Sequence, residues 1–156
     1  MNFREKVAVF LATGFYAGNV PFAPGTFGSL LGLPLCFLMA GLQWPAAIMA
    51  VLIFTGLAVR VSGDAARTLK RKDPGCIVID EMAGMVITLI GVPLNSISVI
   101  TGFIFFRILD IVKPFPIRLI DRRLPGGLGI VADDVVAGVF ANIFTRILLL
   151  IIDLST

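Results

Sequence analysis

The chain contains no histidine, two cysteines, one tryptophan and one tyrosine, and only 15% of its 156 residues are charged. Each shortage excludes something. Without histidine there is no Ser-His-Asp triad, no histidine nucleophile and no imidazole base. Cys36 lies in an apolar run and Cys76 in a distant polar segment, so no disulfide is expected and both read as small packing residues. Five residues after Cys76 the chain continues with Met82 rather than arginine, which excludes a Cys-x5-Arg phosphatase loop, and no Asp-x-Asp pair occurs. The scarcity of charge goes with 58% hydrophobic residues and a mean hydropathy of +1.00, outside the soluble globular class. With a net charge of only +3, the pI of 9.2 does not argue for nucleic acid. The basic residues cluster between apolar runs, where they orient a membrane protein and meet anionic lipid.

What is present is a series of apolar segments. Residues 27–42, 46–59, 82–92, 97–112 and 135–152 are delimited by polar residues, proline and glycine, with a shorter run at 7–16. They predict an all-α integral membrane helical bundle of about five short transmembrane helices, plus an N-terminal amphipathic or re-entrant helix within residues 1–20. Most runs hold about 15 residues, roughly 22 Å of helix against a hydrocarbon core of about 30 Å. Either the helices continue past their apolar cores or the site is sunk into the membrane. Met1-Asn2-Phe3-Arg4-Glu5-Lys6 superficially resembles a signal n-region, but no small-x-small cleavage site follows, so it is expected to stay in the mature protein. One domain is expected over residues 1–156, with no internal repeat, and the sequence leaves the oligomeric state open.

Loop charge gives an orientation. Arg60, Arg67, Lys70, Arg71 and Lys72 follow the second run, and Arg107, Lys113, Arg118, Arg122 and Arg123 flank the end of the fourth, whereas the turns at 41–45 and 91–96 carry no charge. The positive-inside rule assigns the basic segments to the cytoplasm. Asp80-Glu81, Asp110 and Asp133-Asp134 then all fall at that end.

These carboxylates carry the functional reading. An unpaired ionised carboxylate out of water costs several kcal/mol, so acid pairs against apolar runs require positive compensation. Asp80 or Asp133 alone could simply cap a helix start. Capping accounts neither for adjacent pairs at two starts nor for Asp110 near a helix end. Oxygen ligands without histidine or cysteine favour Mg2+, with Mn2+ as a substitute, held by Asp80, Glu81, Asp110, Asp133 and Asp134. Arg107, Asp110 and Lys113 recur at three-residue steps before Pro114 and Pro116, on roughly one helix face. A salt-bridged helix end is one reading; beside a metal site, Arg107, Lys113 and Arg118 also suit a phosphate. Pro24-Gly25-Thr26-Phe27-Gly28-Ser29 could aim free N–H groups and the Thr26 or Ser29 hydroxyl at an anion, or merely N-cap a helix. Residues 124–129 read as a flexible loop leading into Asp133-Asp134.

Taken together, Pro24-Gly25-Thr26-Phe27-Gly28-Ser29, Ile79-Asp80-Glu81-Met82-Ala83-Gly84-Met85, Phe106-Arg107-Ile108-Leu109-Asp110 with Lys113-Pro114-Phe115-Pro116-Ile117-Arg118, and Gly127-Leu128-Gly129-Ile130 with Asp133-Asp134-Val135-Val136-Ala137-Gly138 closely resemble the phosphatidylglycerophosphatase A family of bacteria. The likeness runs from about Gly14 to about Ile143. It implies a Mg2+-dependent hydrolase of the inner membrane that removes the terminal phosphate of phosphatidylglycerophosphate to give phosphatidylglycerol. It places the family's acidic motifs on Asp80, Glu81, Asp133 and Asp134 and its Arg/Asp/Lys motif on Arg107, Asp110 and Lys113.

The expected chemistry is metal-assisted displacement on a lipid headgroup at the cytoplasmic surface, with Glu81 or Asp134 as base and an aspartyl-phosphate route left open. Two rivals come from other classes. An ion- or proton-coupled transporter would spread its acids through the membrane depth, often in repeated halves. A CDP-alcohol-type phosphotransferase would pack them along one short helical motif.

Overall fold

The structure is a computed structural model describing residues 1–155, the side chains of Arg122 and Ser155 excepted. Its elements are α1 (Phe3–Ala12), a 3-10 turn (Ala17–Asn19), α2 (Pro24–Ala40), α3 (Trp44–Leu69), α4 (Ile79–Leu89), α5 (Ser96–Val112), α6 (Ile117–Arg123) and α7 (Gly126–Ser155). Local chemistry sets several boundaries. Asn2 and Glu5 form a reciprocal capping box at α1, and the Asn95 side chain accepts from the Ser98 amide at 2.9 Å to open α5. Pro24 and Pro45 occupy the first turns of α2 and α3, where a missing N–H is tolerated.

Many large apolar side chains face outward, while the inside combines small residues with a few large ones such as Phe106, Met85 and Ile117. Ile97, Ile100, Ile104, Ile108 and Ile111 form an exposed stripe along α5, and Phe37, Leu38, Leu52, Ile53, Ile147 and Leu150 extend the apolar exterior over α2, α3 and α7. The small interior residues include Ala58, Ala65, Ala66, Ala83, Ala137 and Ala141, with the buried hydroxyls of Ser62, Thr88 and Thr145. Such an exterior suits lipid, and small interfacial residues let helices approach closely where water supplies no hydrophobic drive. Trp44–Leu69 and Gly126–Leu154 are long and apolar enough to cross a membrane. The expected all-helical architecture therefore stands among the described residues, with two candidate membrane-spanning helices. Of the about five short spans expected, length and composition support these two.

Two expectations need correction. Arg60 and Arg67 lie on α3, which runs on through Leu69, so part of the supposed basic loop is helical. Residues 126–129, read as a flexible loop, open α7; Asp133 and Asp134 therefore sit about two turns inside that helix rather than at its start. Asp80-Glu81-Met82-Ala83-Gly84 and Asp134-Val135-Val136-Ala137-Gly138 share the local pattern Asp-x-x-Ala-Gly.

The two segments pack against each other. A Cβ on Gly138 would lie 2.5 Å from the Gly84 carbonyl oxygen, and one on Gly84 would lie 2.9 Å from that of Asp134, so the backbones touch where only glycine fits. The Asn142 amide donates to the Thr88 carbonyl at 2.8 Å, and the same separation of 54 residues relates Gly84 to Gly138 and Asp80 to Asp134. Rungs recurring every four residues at constant offset mean that α4 and α7 run parallel and in register. Ten of the eleven α4 residues are buried, and the helix is enclosed by α2, α3, α5 and α7. At about 16 Å it is far too short to span a bilayer, so it begins and ends inside the protein.

Candidate active site

All five predicted carboxylates, Asp80, Glu81, Asp110, Asp133 and Asp134, line one pocket of about 390 Å³ at the N-terminal end of α4. Asp80 and Glu81 come from the first turn of α4, Asp133 and Asp134 from α7, and Asp110 from the last turn of α5. The helix-capping alternative fails for both starts: Val78 is the N-cap of α4, and Asp133 lies well inside α7.

The five separate by partner. Asp110 Oδ2 accepts from Arg107 at 2.6 Å, and Asp133 Oδ2 accepts from Lys113 Nζ at 2.5 Å. No ion pair joins Asp80, Glu81 or Asp134 to a lysine or arginine among the described residues. Asp80 and Asp134 are buried, 8% and 3% exposed, and Asp80 Oδ1, Glu81 Oε2 and Asp134 Oδ1 lack any hydrogen-bond partner. One oxygen from each of these three side chains lies within 4.8 Å of the others, a distance that two metal–oxygen bonds of about 2.1–2.6 Å can bridge. Three carboxylates this close in a low-dielectric site repel strongly unless a cation or protons join them. The donor set is all oxygen, the pattern of a hard divalent cation rather than zinc.

The cations border this trio. Lys113, left-handed at φ 46 where α5 ends, sends its ammonium to Asp133 and to Asp121 Oδ1 at 3.1 Å. Burial alone would lower its pKa, but the hydrogen bonds and charges of Asp133 and Asp121 outweigh this and raise it, so Lys113 stays charged. Arg107 packs against the start of α2. A Cβ on Gly25 would lie 2.8 Å from one of its terminal nitrogens and would also collide with Glu81 Oε1. A side chain at Gly25 would therefore displace the ends of Arg107 and Glu81, which gives the Pro-Gly segment a role its residues did not announce.

Not every predicted phosphate ligand reaches the pocket. Ser29 is buried, and its hydroxyl donates to the Gly25 carbonyl at 2.8 Å, leaving that donor committed within α2. The N-cap of α2 is Ala23, so neither Thr26 nor Ser29 caps it, and Thr26 is not on the pocket wall. Arg118 is exposed on α6 and off the wall, and Arg107 too stands behind the wall, against Asp110 and Gly25. A second cavity, about 370 Å³, lies at the other end of α4 among Cys36, Trp44, Leu89 and Pro93 and has no carboxylate or cation in its wall.

The family model for Phosphatidylglycerophosphatase A matches residues 10–149. The chain belongs to the phosphatidylglycerophosphatase A family. It is 44% identical over 132 residues to Phosphatidylglycerophosphatase A of Escherichia coli K12, covering 84% of this chain and 77% of that protein. A Haemophilus influenzae protein of the same name is 38% identical over 138 residues, covering 85% and 83% of the two chains. A Bacteroides thetaiotaomicron relative, provisionally named a phosphatidylinositol-3-phosphatase, is 39% identical over 149 residues, covering 89% and 91%. No solved structure gives a significant match.

Sequence reasoning missed Asp121, Lys72 and Asp73, which also line the pocket. Asp121 stands before Arg122 and Arg123 and reads as a solvated surface charge; only the fold brings it to Lys113. A sequence signal that could have been read is the Asp-x-x-Ala-Gly shared by residues 80–84 and 134–138, whose aspartates and glycines meet across α4 and α7.

Proposed function

We propose that the chain is a membrane-embedded phosphatase that hydrolyses the terminal phosphate of phosphatidylglycerophosphate, with a divalent cation, Mg2+ or Mn2+, at Asp80, Glu81 and Asp134. The observation that carries this is the trio of carboxylates, two buried and one half-buried, each with an oxygen that no protein group satisfies and with ligand oxygens within 4.8 Å, in a chain of this family. When bound, the cation supplies Lewis-acid polarisation of the phosphate and a more acidic water.

The residues divide the remaining work. Lys113 keeps one of its three N–H donors after serving Asp133 and Asp121, and that donor is available to a phosphate oxygen. Arg107, tied to Asp110 at one terminal nitrogen, presents the rest of its guanidinium beside Glu81. Both cations are aligned by acids before substrate arrives, so little reorganisation is required as charge builds on the leaving group. Glu81 and Asp134 each keep an oxygen without a protein partner and are the candidates to accept the proton of an attacking water. Arg118, Thr26 and Ser29 are not needed as ligands in this arrangement.

The membrane reading extends the same way. Lys70, Arg71 and Lys72 connect α3 to α4 at the pocket end, whereas the turns at 41–43 and 90–95 are uncharged. This favours a multi-pass protein of the bacterial inner membrane, with α2 and α5 as shorter membrane-embedded helices and the pocket facing the cytoplasm. A headgroup then enters the pocket while its acyl chains stay in lipid. Acids gathered at one end disfavour a coupled transporter, and their origin on three helices disfavours a single-motif phosphotransferase.

The test is phosphate release by the purified protein from phosphatidylglycerophosphate, phosphatidic acid and phosphatidylinositol 3-phosphate, with and without Mg2+. Preference for the first with a Mg2+ requirement is expected. Full activity after exhaustive chelation would overturn the metal assignment, and preference for the inositol lipid would reassign the substrate.

A further inference from the structure

The far end of α4 presents a problem the sequence does not advertise. The Ile90 and Val92 amides serve the carbonyls of Val86 and Leu89, but the turn at Gly91 leaves those of Ile87 and Thr88 without a backbone donor, which another group must supply. Two side chains of α7 serve this end. The Asn142 amide is shared among the carbonyls of Ile87 at 3.2 Å, Thr88 at 2.8 Å and Ile90 at 3.0 Å. The Arg146 guanidinium donates to Ile90 at 3.0 Å and Gly91 at 2.8 Å, and its Nε donates to Asn142 Oδ1 at 2.8 Å. Arg146 also brings positive charge to the negative end of the α4 dipole. Gly91 has φ +63, and a Cβ there would meet the Trp44 ring and Arg146, so the turn is built around this contact.

We infer that Asn142 and Arg146 are positioning residues: they lock the register of α4 against α7 and thereby hold Asp80 and Glu81 opposite Asp134. The ladder explains why a lock this far from the acids matters. Asp80 and Asp134, Gly84 and Gly138, and Thr88 and Asn142 are successive rungs at one offset. The glycine rung permits close approach but carries no directional bond, because glycine has no side chain to register against its neighbour. The Thr88 hydroxyl adds a long contact of 3.5 Å to the Gly138 carbonyl, its shorter bond of 2.8 Å being to Gly84 within α4. Direction along the helix axis is therefore fixed mainly at the third rung and its extension to Arg146. Neither residue touches the pocket, and nothing in the hydrolysis requires an arginine on α7.

The inference rests on the metal reading for one of its two measurements. Mn2+ binding to purified protein in detergent, followed by its electron paramagnetic resonance signal, is compared with kcat and KM for the lipid in wild type, Asn142→Leu, Arg146→Met and Arg146→Lys. Loss of register is expected to weaken Mn2+ binding and lower kcat at least about tenfold in Asn142→Leu, and less in Arg146→Met, with KM for the lipid little changed. Arg146→Lys, which still donates to the two carbonyls, should restore most of both. Should Asn142→Leu fail to insert, Arg146→Met carries the test with Asn142 intact. Unchanged Mn2+ affinity and kcat in a folded variant would overturn the lock, as would a KM effect without a kcat effect. A wild type that binds no Mn2+ and works without it overturns the metal assignment alone, and the lock then stands or falls on kcat.

Discussion

The two ends of α4 are treated in opposite ways. At its N-terminus Asp80 and Glu81 face Asp134 with oxygens that nothing in the protein satisfies. At its C-terminus, some ten residues on, the carbonyls of Ile87, Thr88, Ile90 and Gly91 all receive donors from Asn142 and Arg146. One helix thus ends in a deficit and in a surplus of compensation, both arranged against the same partner, α7. Of the six buried side-chain polar atoms without a partner among the described residues, five belong to Asp80, Glu81, Arg107, Asp133 and Asp134, and such a concentration marks where a ligand completes the balance. The satisfied end marks where the protein needs rigidity and no ligand.

The sharpest test of this contrast separates activity from stability. Asp80→Asn or Asp134→Asn should lower kcat by about 10²–10³-fold or more, measured as phosphate release. In chelator the same variants should melt no lower than wild type, because they remove an uncompensated buried charge. A large loss of thermal stability with activity retained would reverse the assignment of that end.

Next in size is Gly25→Ala, whose added methyl displaces Arg107 and Glu81 without touching the acids of α7. Activity should fall about tenfold to hundredfold while the melting temperature changes little, since the atoms that give way are the ends of flexible side chains. Gly138→Leu probes the helix contact between the two ends. It forces backbones apart and should cost about 1–3 kcal/mol or more of stability in a denaturation series.

Lys113 supplies a pH dependence. Its pKa is raised on folding, so its stabilising contribution is complete below the ordinary lysine value of about 10.4 and fades as pH rises through the folded value. The melting-temperature difference between wild type and Lys113→Met should therefore be constant from pH 7 to 9 and narrow only in stronger alkali. The smallest effect belongs to Arg67→Ala, which removes an exposed pair with Asp64 on α3 and should change stability by less than about 0.5 kcal/mol.

Legibility differed residue by residue. Asp80, Glu81, Asp110, Asp133 and Asp134 could be singled out because carboxylates beside apolar runs are costly, and that reasoning requires no coordinates. The same reasoning could not separate paired from unpaired acids. Asp110 answers to Arg107 three residues away, a spacing visible on a helix, whereas Asp133 answers to Lys113 twenty residues away across a change of direction. Ser29 illustrates the reverse error. A hydroxyl after Pro-Gly reads as an anion ligand or a cap, but its position inside α2 turns it back onto the carbonyl four residues earlier. Arg146, a single cation in a long apolar run, drew no sequence assignment because its partners are backbone carbonyls, which every residue possesses.

The sequence by itself determined a strongly apolar helical chain with histidine-free acid clusters, because hydropathy, charge placement and the chemistry of carboxylates are properties of residues and their spacing. Only the tertiary structure decided which acids remain unpaired, that a side chain at Gly25 would displace Arg107 and Glu81, and that Asn142 and Arg146 terminate α4. Those depend on the register of α4 against α7 and on which groups meet across it, and register is set by packing between segments 54 residues apart.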